Sequence, residues 1–340
     1  MFLIQFFTFI YCFIYVNGNI NTNDIILKPI IKTINHRDFM YQIPKDKTKL
    51  NGIIVTLPGC SHNAYDFWPK NDNCIDCVGL PIEMILNKKI LKSNFISLIL
   101  TSKEMCWNPT QDISYVGESI KEIYKILSIT NTLKMPLYIF GISSGGTFAG
   151  NIAERFHDDL TLKISGMAIH LSHLKIYSKN NPPPTIFIPM IKDSTIYSKT
   201  KRNIAELHIR KVDSDLLPCE QQLIKIDYFN KHDDRISMVD SELIYNTLLK
   251  YEYITESGVL LKDPRVTDWS NKIQSMYIYI CVYVCVYVYI YIYDICVFIT
   301  VCVCIVCVTL TPAPSITIYN THYLHTLTIR TNYTHTLYTI

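Results

Sequence analysis

The chain has 340 residues and a formal net charge of +3, with 49% hydrophobic and 18% charged residues. That length suits one large domain or two modest ones with a buried core, and the near-neutral charge excludes a strongly basic nucleic-acid binder. The same balance argues against a wholly disordered chain. The average hides unlike segments: six of the 12 Cys lie between Cys281 and Cys307, and residues 276–340 hold one acid, Asp294, and one Lys or Arg, Arg330. The chain therefore divides into 1–18, 19–275, 276–310 and 311–340.

Residues 2–16 (FLIQFFTFIYCFIYV) form an uncharged apolar run followed by Asn17-Gly18-Asn19. A run of this length ending near small residues is expected to be the h-region of a signal peptide spanning 1–18. Val16 and Gly18 stand at −3 and −1, so cleavage is expected after Gly18. No Lys or Arg precedes the run, so an uncleaved anchor is the alternative. The expected location is the secretory pathway or the exterior.

In residues 19–275, apolar strand-like runs alternate with helical patterns. Ile53–Leu57 (IIVTL) ends at Pro58-Gly59 and reads as a buried strand entering a loop. Phe95–Thr101, Leu137–Phe140, Ile164–Leu171 and Thr185–Met190 are further strand candidates. Helices are expected over Ile113–Ser128, Thr147–His157, Ser194–Leu207 and Glu242–Tyr251, the first with Ile120, Ile123, Ile126 and Leu127 on one face. This alternation predicts one α/β domain with a mostly parallel sheet covered by helices on both faces.

The motif that carries chemistry is Gly141-Ile142-Ser143-Ser144-Gly145, a G-x-S-x-G between the run LYIF and the helical stretch TFAGNIAERF. A nucleophile elbow requires this context: a strand enters, a strained turn exposes the Ser hydroxyl, and small residues let strand and helix approach. The helix also aims its N-terminus at a developing oxyanion. The plain alternative is a Gly/Ser turn.

On these residues the chain resembles the α/β-hydrolase superfamily, and the resemblance spans most of 45–255. The segment Thr56–Ala64 (TLPGCSHNA) is similar to the L-H-G-C oxyanion loop of polyhydroxybutyrate-depolymerase and feruloyl-esterase relatives, with Pro58 where that pattern has His. The resemblance implies a serine esterase with Ser143 as nucleophile and the backbone N–H groups of Ser144 and of Cys60 or a neighbour as oxyanion donors. Chain order places the acid after Ser and before His. Asp193, after the run TIFIPM, is the expected acid, or else a cap for the following helix. His232, expected in a loop before the last helix, is the expected base, or else a solvated His. His208 comes too early. His62 is a less orthodox base from the oxyanion loop, or a substrate-binding residue; His170 and His173 read as structural or substrate-facing. Trp107, with Lys103–Asn108 and Tyr65–Trp68, is expected at the pocket mouth, although packing under the loop is the commoner role.

No metal or organic cofactor is expected, and the expected partner is a small ester or acyl substrate, not nucleic acid. Without a competent base the domain would be a catalytically silent α/β-hydrolase-like binding protein. Cys74-Ile75-Asp76-Cys77 has no second CxxC for zinc, so disulfides among Cys60, Cys74, Cys77 and Cys106 are expected in a secreted protein, with connectivity open and Cys219 left over.

Residues 277–308 have the apolarity of a membrane span, interrupted by Asp294, where a charge costs about 2.5–3.5 kcal/mol on insertion scales. The pairs Tyr-Ile, Cys-Val and Thr-His are what alternating TA, TG and CA repeats encode. The segment 276–310 therefore reads as repeat-derived low complexity, with a membrane span over 277–308, and hence membrane anchoring, as the alternative; 311–340 reads as an unstructured tail, and neither informs function.

Overall fold

The computed structural model describes residues 25–273, apart from 128–134, 176–179, 192, 220–222, 234, 263–267 and 270–271. The expected leader 1–18, the apolar segment 276–310, its membrane-span reading and the tail 311–340 lie outside the described residues. Among the described residues, no helix is long and apolar enough to cross a membrane.

Eight strands form one sheet, ordered β1-β2-β4-β3-β5-β6-β7-β8. They are β1 (Ile30–Ile34), β2 (Arg37–Gln42), β3 (Gly52–Leu57), β4 (Phe95–Leu100), β5 (Leu137–Ile142), β6 (Ile164–His170), β7 (Thr185–Ile188) and β8 (Ser214–Leu216). β1 pairs antiparallel with β2, and β2 antiparallel with β4; every other pairing is parallel. The expected mostly parallel sheet is present, with an antiparallel hairpin added at one edge. Ile34 pairs with Arg37, so the hairpin loop is Asn35-His36, both at positive φ (51° and 59°) as a type I′ turn demands.

The helices are α1 (Pro81–Lys92), α2 (Pro109–Ile126), α3 (Ser144–Arg155), α4 (Ser194–Ile209), α5 (Tyr228–His232) and α6 (Met238–Lys250). Pro81 and Pro109 begin α1 and α2, where the missing N–H leaves no hydrogen bond unmade.

Side chains alternate across the sheet with period two. In β3, Ile53, Val55 and Leu57 face a core built with Val116 and Ile120 of α2 and Phe148 and Ile152 of α3. Ile54 faces the opposite core, with Leu86 and Ile90 of α1 and Phe67 and Trp68 of the loop after β3. β3, β4 and β5 are buried along their whole length, which explains their unbroken apolar runs. A third cluster, with Tyr228, Phe229, Ile244 and Leu248, holds the C-terminal helices together.

β4 lies on one side of β3 and β5 on the other, and the helices that follow β3 and β5 go to opposite faces. The loops leaving β3 and β5 therefore diverge at adjacent strand ends. Such a switch point opens a crevice at the carboxyl edge of a parallel sheet.

Candidate active site

Ser143 stands between β5 and α3 with φ 51° and ψ −115°, a positive φ that a non-glycine residue rarely adopts. Such strain costs on the order of 1–3 kcal/mol and persists only when the surroundings impose it. Here they do. Ser143 N–H donates to the His170 carbonyl (2.8 Å), and the Ser143 carbonyl accepts from Gly146 N–H (2.9 Å) and Thr147 N–H (3.2 Å). A Cβ at Gly141 would meet the Gly145 carbonyl at 2.5 Å, and one at Gly146 would meet Ser172 Cβ at 2.8 Å. At Gly145 it would run into the Leu57 and Pro58 carbonyls. Each elbow glycine thus permits a backbone approach that alanine would block.

The loop after β3 lies against the elbow: a Cβ at Gly59 would sit 3.5 Å from the Ser143 Cβ. Ser61 N–H donates to the Met105 carbonyl (2.7 Å) and His62 N–H to the Gly59 carbonyl (3.2 Å). Among the described residues, Cys60 N–H donates to no acceptor. Ser144 opens α3, so its N–H has no partner within the helix. Both groups nominated as oxyanion donors are therefore without a hydrogen-bond acceptor beside Ser143.

Cys60 is disulfide-bonded to Cys106, and Cys74 to Cys77. Cys219 is in no disulfide among the described residues; its Sγ lies 3.8 Å from His170 Nε2. Trp107 is 8% exposed, stacks on Phe148 at 5.0 Å and donates from Nε1 to the Pro58 carbonyl (2.7 Å). The residue expected at the pocket mouth thus packs against α3 and holds the loop after β3.

His62 Nδ1 lies 3.0 Å from Asp66 Oδ2, and both side chains are largely buried. Asp66 also accepts from Asn63 N–H (3.1 Å) in a capping box that opens the 3₁₀ turn Ala64–Phe67. Asp66 is expected at the pocket mouth as part of Tyr65–Trp68, and the structure instead turns its carboxylate to His62, four residues back.

Asp193 caps α4, its carboxylate accepting from Ile196 N–H at 2.9 Å. His232, expected in a loop, is the last residue of α5, with Nδ1 2.7 Å from the Tyr228 carbonyl and its ring against the Tyr228 ring. Burial pushes the His232 imidazole below its ordinary pKa, helped by Lys231. Burial and Lys199 lower that of His173 as well. His208 lies in α4 and bonds the Ser214 carbonyl (2.9 Å). Among the described residues, no hydrogen bond joins Ser143, Asp193 and His232 to one another, and no three His, Cys, Asp or Glu converge as a metal site.

No family model and no curated protein matches the chain. Among solved structures, it is similar to the Pyrococcus horikoshii acylaminoacyl peptidase at 12% identity and TM-score 0.43, over 76% of this chain and 46% of that one. It is similar to a Pyrobaculum calidifontis esterase at 12% identity and TM-score 0.42, over 68% and 87% of the two chains. A third is an α/β hydrolase from a Medee basin deep-sea metagenome library, at 13% identity and TM-score 0.40, over 66% and 96%. The chain spans less than half the length of the acylaminoacyl peptidases it matches. Its own strand order and pairing, with a G-x-S-x-G elbow joining β5 to α3 beside the β3 loop, give the domain the fold of the α/β hydrolases.

Proposed function

We propose that the chain is a secreted serine hydrolase that cleaves an ester or related acyl bond through an acyl-enzyme, with Ser143 as nucleophile. The observation that carries this reading is the strained backbone of Ser143 at the strand-to-helix turn, with Gly59 of the β3 loop packed against it. Ser143 Oγ attacks the acyl carbonyl, and the oxygen that becomes negative is met by the Ser144 and Cys60 N–H groups, reinforced by the start of α3. Expulsion of the alcohol leaves the acyl-enzyme, which water hydrolyses.

Ser143 needs a base, and two imidazoles compete for the role. Chain order favours His232 with Asp193 as its acid. That arrangement requires Asp193 to leave Ile196 N–H and His232 to turn Nδ1 from the Tyr228 carbonyl to the carboxylate. His62, on the oxyanion loop, already faces a carboxylate. The absence of a bond among Ser143, Asp193 and His232 favours a second reading, a silent binding protein that keeps the fold. The two disulfides support a secretory location, where such bonds persist.

A fluorophosphonate probe separates the two readings. Wild type is expected to label and Ser143→Ala to stay unlabelled; an unlabelled wild type would leave the binding protein, and a labelled Ser143→Ala would move the nucleophile elsewhere.

A further inference from the structure

A thiol attacks as its thiolate, so a cysteine becomes reactive where an imidazole stands ready to take its proton. Cys219 is half-buried, is in no disulfide among the described residues, and has its Sγ 3.8 Å from His170 Nε2. We infer that Cys219 and His170 form a reactive thiol–imidazole pair, a site at which a small-molecule disulfide modifies the chain.

The imidazole is the first support. His170 ends β6, is 8% exposed, and its Nδ1 has no hydrogen-bond partner among the described residues. The ring's neighbours there are the Phe140 ring, at 6.0 Å between centroids, and the Cys219 sulfur. A buried polar group without a partner is costly, and an apolar side chain would fill the same space without that cost. The one polar use this ring has is the thiol.

The second support is how the sulfur is brought to it. Past β8 the chain continues alongside the end of β7. Leu217 N–H donates to the Phe187 carbonyl (2.8 Å), Cys219 N–H to the Pro189 carbonyl (2.8 Å) and Ile191 N–H to the Cys219 carbonyl (3.4 Å). On the other side of β7, His170 pairs with Ile188. Thiol and imidazole therefore come from opposite flanks of one strand, and backbone bonds fix both.

The third support is strain. Leu171, directly after His170, has φ 58°, a conformation that a bulky residue rarely adopts, and its N–H is held by the Ile188 carbonyl (3.1 Å). Backbone strain of this kind persists only where the surroundings impose it, and it concentrates at functional sites.

In the reaction, His170 Nε2 takes the Cys219 proton and the thiolate attacks one sulfur of the incoming disulfide. As the new S–S bond forms, the old one breaks, and the departing thiolate takes the proton back from the imidazolium. Cys219 is oxidised to a mixed disulfide and half of the reagent is reduced to a thiol, so no other oxidant is needed. Small disulfides of this class belong to the secretory pathway, the location that the two bridges of this chain support. The pair stands whether or not Ser143 is a nucleophile.

The test treats the full chain, its bridges intact, with oxidised glutathione at pH 7. Samples are quenched with N-ethylmaleimide, and the mixed disulfide is followed by mass spectrometry on the tryptic peptide 212–225, in which Cys219 is the one cysteine. An ordinary thiol is a few per cent ionised at pH 7, so full ionisation raises the attacking species about 30-fold, and the lower nucleophilicity of the thiolate takes back part of that gain. Cys219 is therefore expected to react about tenfold faster in the folded chain than in the chain unfolded by urea. His170→Gln with a native melting curve is expected to fall to the unfolded rate or below it. A folded rate no higher than the unfolded one, or a natively melting His170→Gln that reacts as fast as wild type, would overturn the pair. Should His170→Gln melt early, His170→Phe takes its place. If that variant also melts early, the folded-to-unfolded ratio of wild type decides: above one it supports the pair, and at one or less it overturns it.

Discussion

On the β3–β4 side of Ser143, the loops are tied by bonds between residues far apart in sequence. Trp107 reaches Pro58, Ala64 reaches Thr101, and Cys60 is bonded to Cys106 across a separation of 46. Beneath them, the buried Asp112 holds Lys103 N–H (3.1 Å), Asn108 N–H (2.7 Å) and the Arg37 guanidinium (2.8 Å), joining the edge hairpin to the loop that carries Cys106 and Trp107. On the β7–β8 side the bonds of the nominated residues are local. Asp193 bonds three residues ahead, His232 four behind, and Asp233 pairs with Arg235 at 2.7 Å. Local bonds fix a side chain to its own turn and leave the turn's position to packing. Long-range bonds fix the loop itself, and a preorganised oxyanion site needs the second kind.

Cutting the long-range ties should produce the largest effect. Removing the Cys60–Cys106 bridge by a double Ser substitution releases a loop-closure constraint that chain-entropy arithmetic for a separation of 46 puts at about 4 kcal/mol. The bridge between Cys74 and Cys77 closes a separation of only 3, and the same arithmetic gives about 2 kcal/mol. Urea unfolding of the two double variants should therefore rank them in that order. Ester turnover should fall by about 10²-fold in the Cys60/Cys106 variant, whose β3 loop loses a tether beside Ser143. Equal urea midpoints with undiminished turnover would mean that Trp107, Ser61 and Ala64 hold the loop without the bridge.

The same contrast explains what the sequence made legible. β3 to β7 announce themselves as apolar runs because helices cover both faces of the sheet there. The elbow shows because its geometry needs glycines at fixed places. In β1 (IIKTI) Lys32 and Thr33 break the apolar run of a largely exposed strand, and β8 is three residues long, so neither shows the unbroken run of a buried strand. α1 went unread because Asn87, Lys88 and Lys89 interrupt its apolar stripe, although Asn87 is buried and donates to the Phe67 carbonyl (3.1 Å). His62 was visible as a candidate, while the pairing of Asp66 with it was not, because that contact comes from a 3₁₀ turn whose capping box aims the carboxylate back at the loop. His232 was expected in a loop, since its charged neighbours hide Tyr228 and Phe229, which bury the short helix. Disulfide partners depend on which loops meet in space, and spacing alone leaves that open.

A smaller effect probes the other flank. If the Asp193 side chain serves as the cap of α4, Asp193→Ala should cost about 1 kcal/mol in thermal or urea unfolding, and Asp193→Asn should recover most of it, because Asn caps nearly as well. Turnover tests the competing role in the same pair of variants. Asn removes the charge and keeps the cap, so a kcat lowered ~10⁴-fold in Asp193→Asn would give Asp193 the acid's place and lengthen the reach of the β7 loop beyond its own helix.

The smallest effect is a pH dependence confined to α5. Burial holds His232 below the ordinary imidazole pKa; Lys231 pushes the same way, while the Tyr228 carbonyl and Asp227 push against it. The unfolded chain therefore binds a proton at this residue more readily than the folded one. A group whose folded pKa is depressed supports the fold above its unfolded value, and that support is lost as pH falls through the folded pKa. The window opens at about pH 6.5 and runs downward. Melting temperature should drop between pH 7 and pH 5 in wild type, and by less in His232→Gln, which cannot take the proton. An identical pH slope in the two proteins would mean that α5 opens locally before the protein unfolds, letting His232 titrate as it does in the unfolded chain. That outcome would mean that the ties of α5 to α6, Phe229 N–H and Asn230 N–H on Ser241 Oγ (3.2 and 3.3 Å), yield before those that staple the β3 loop to its neighbours.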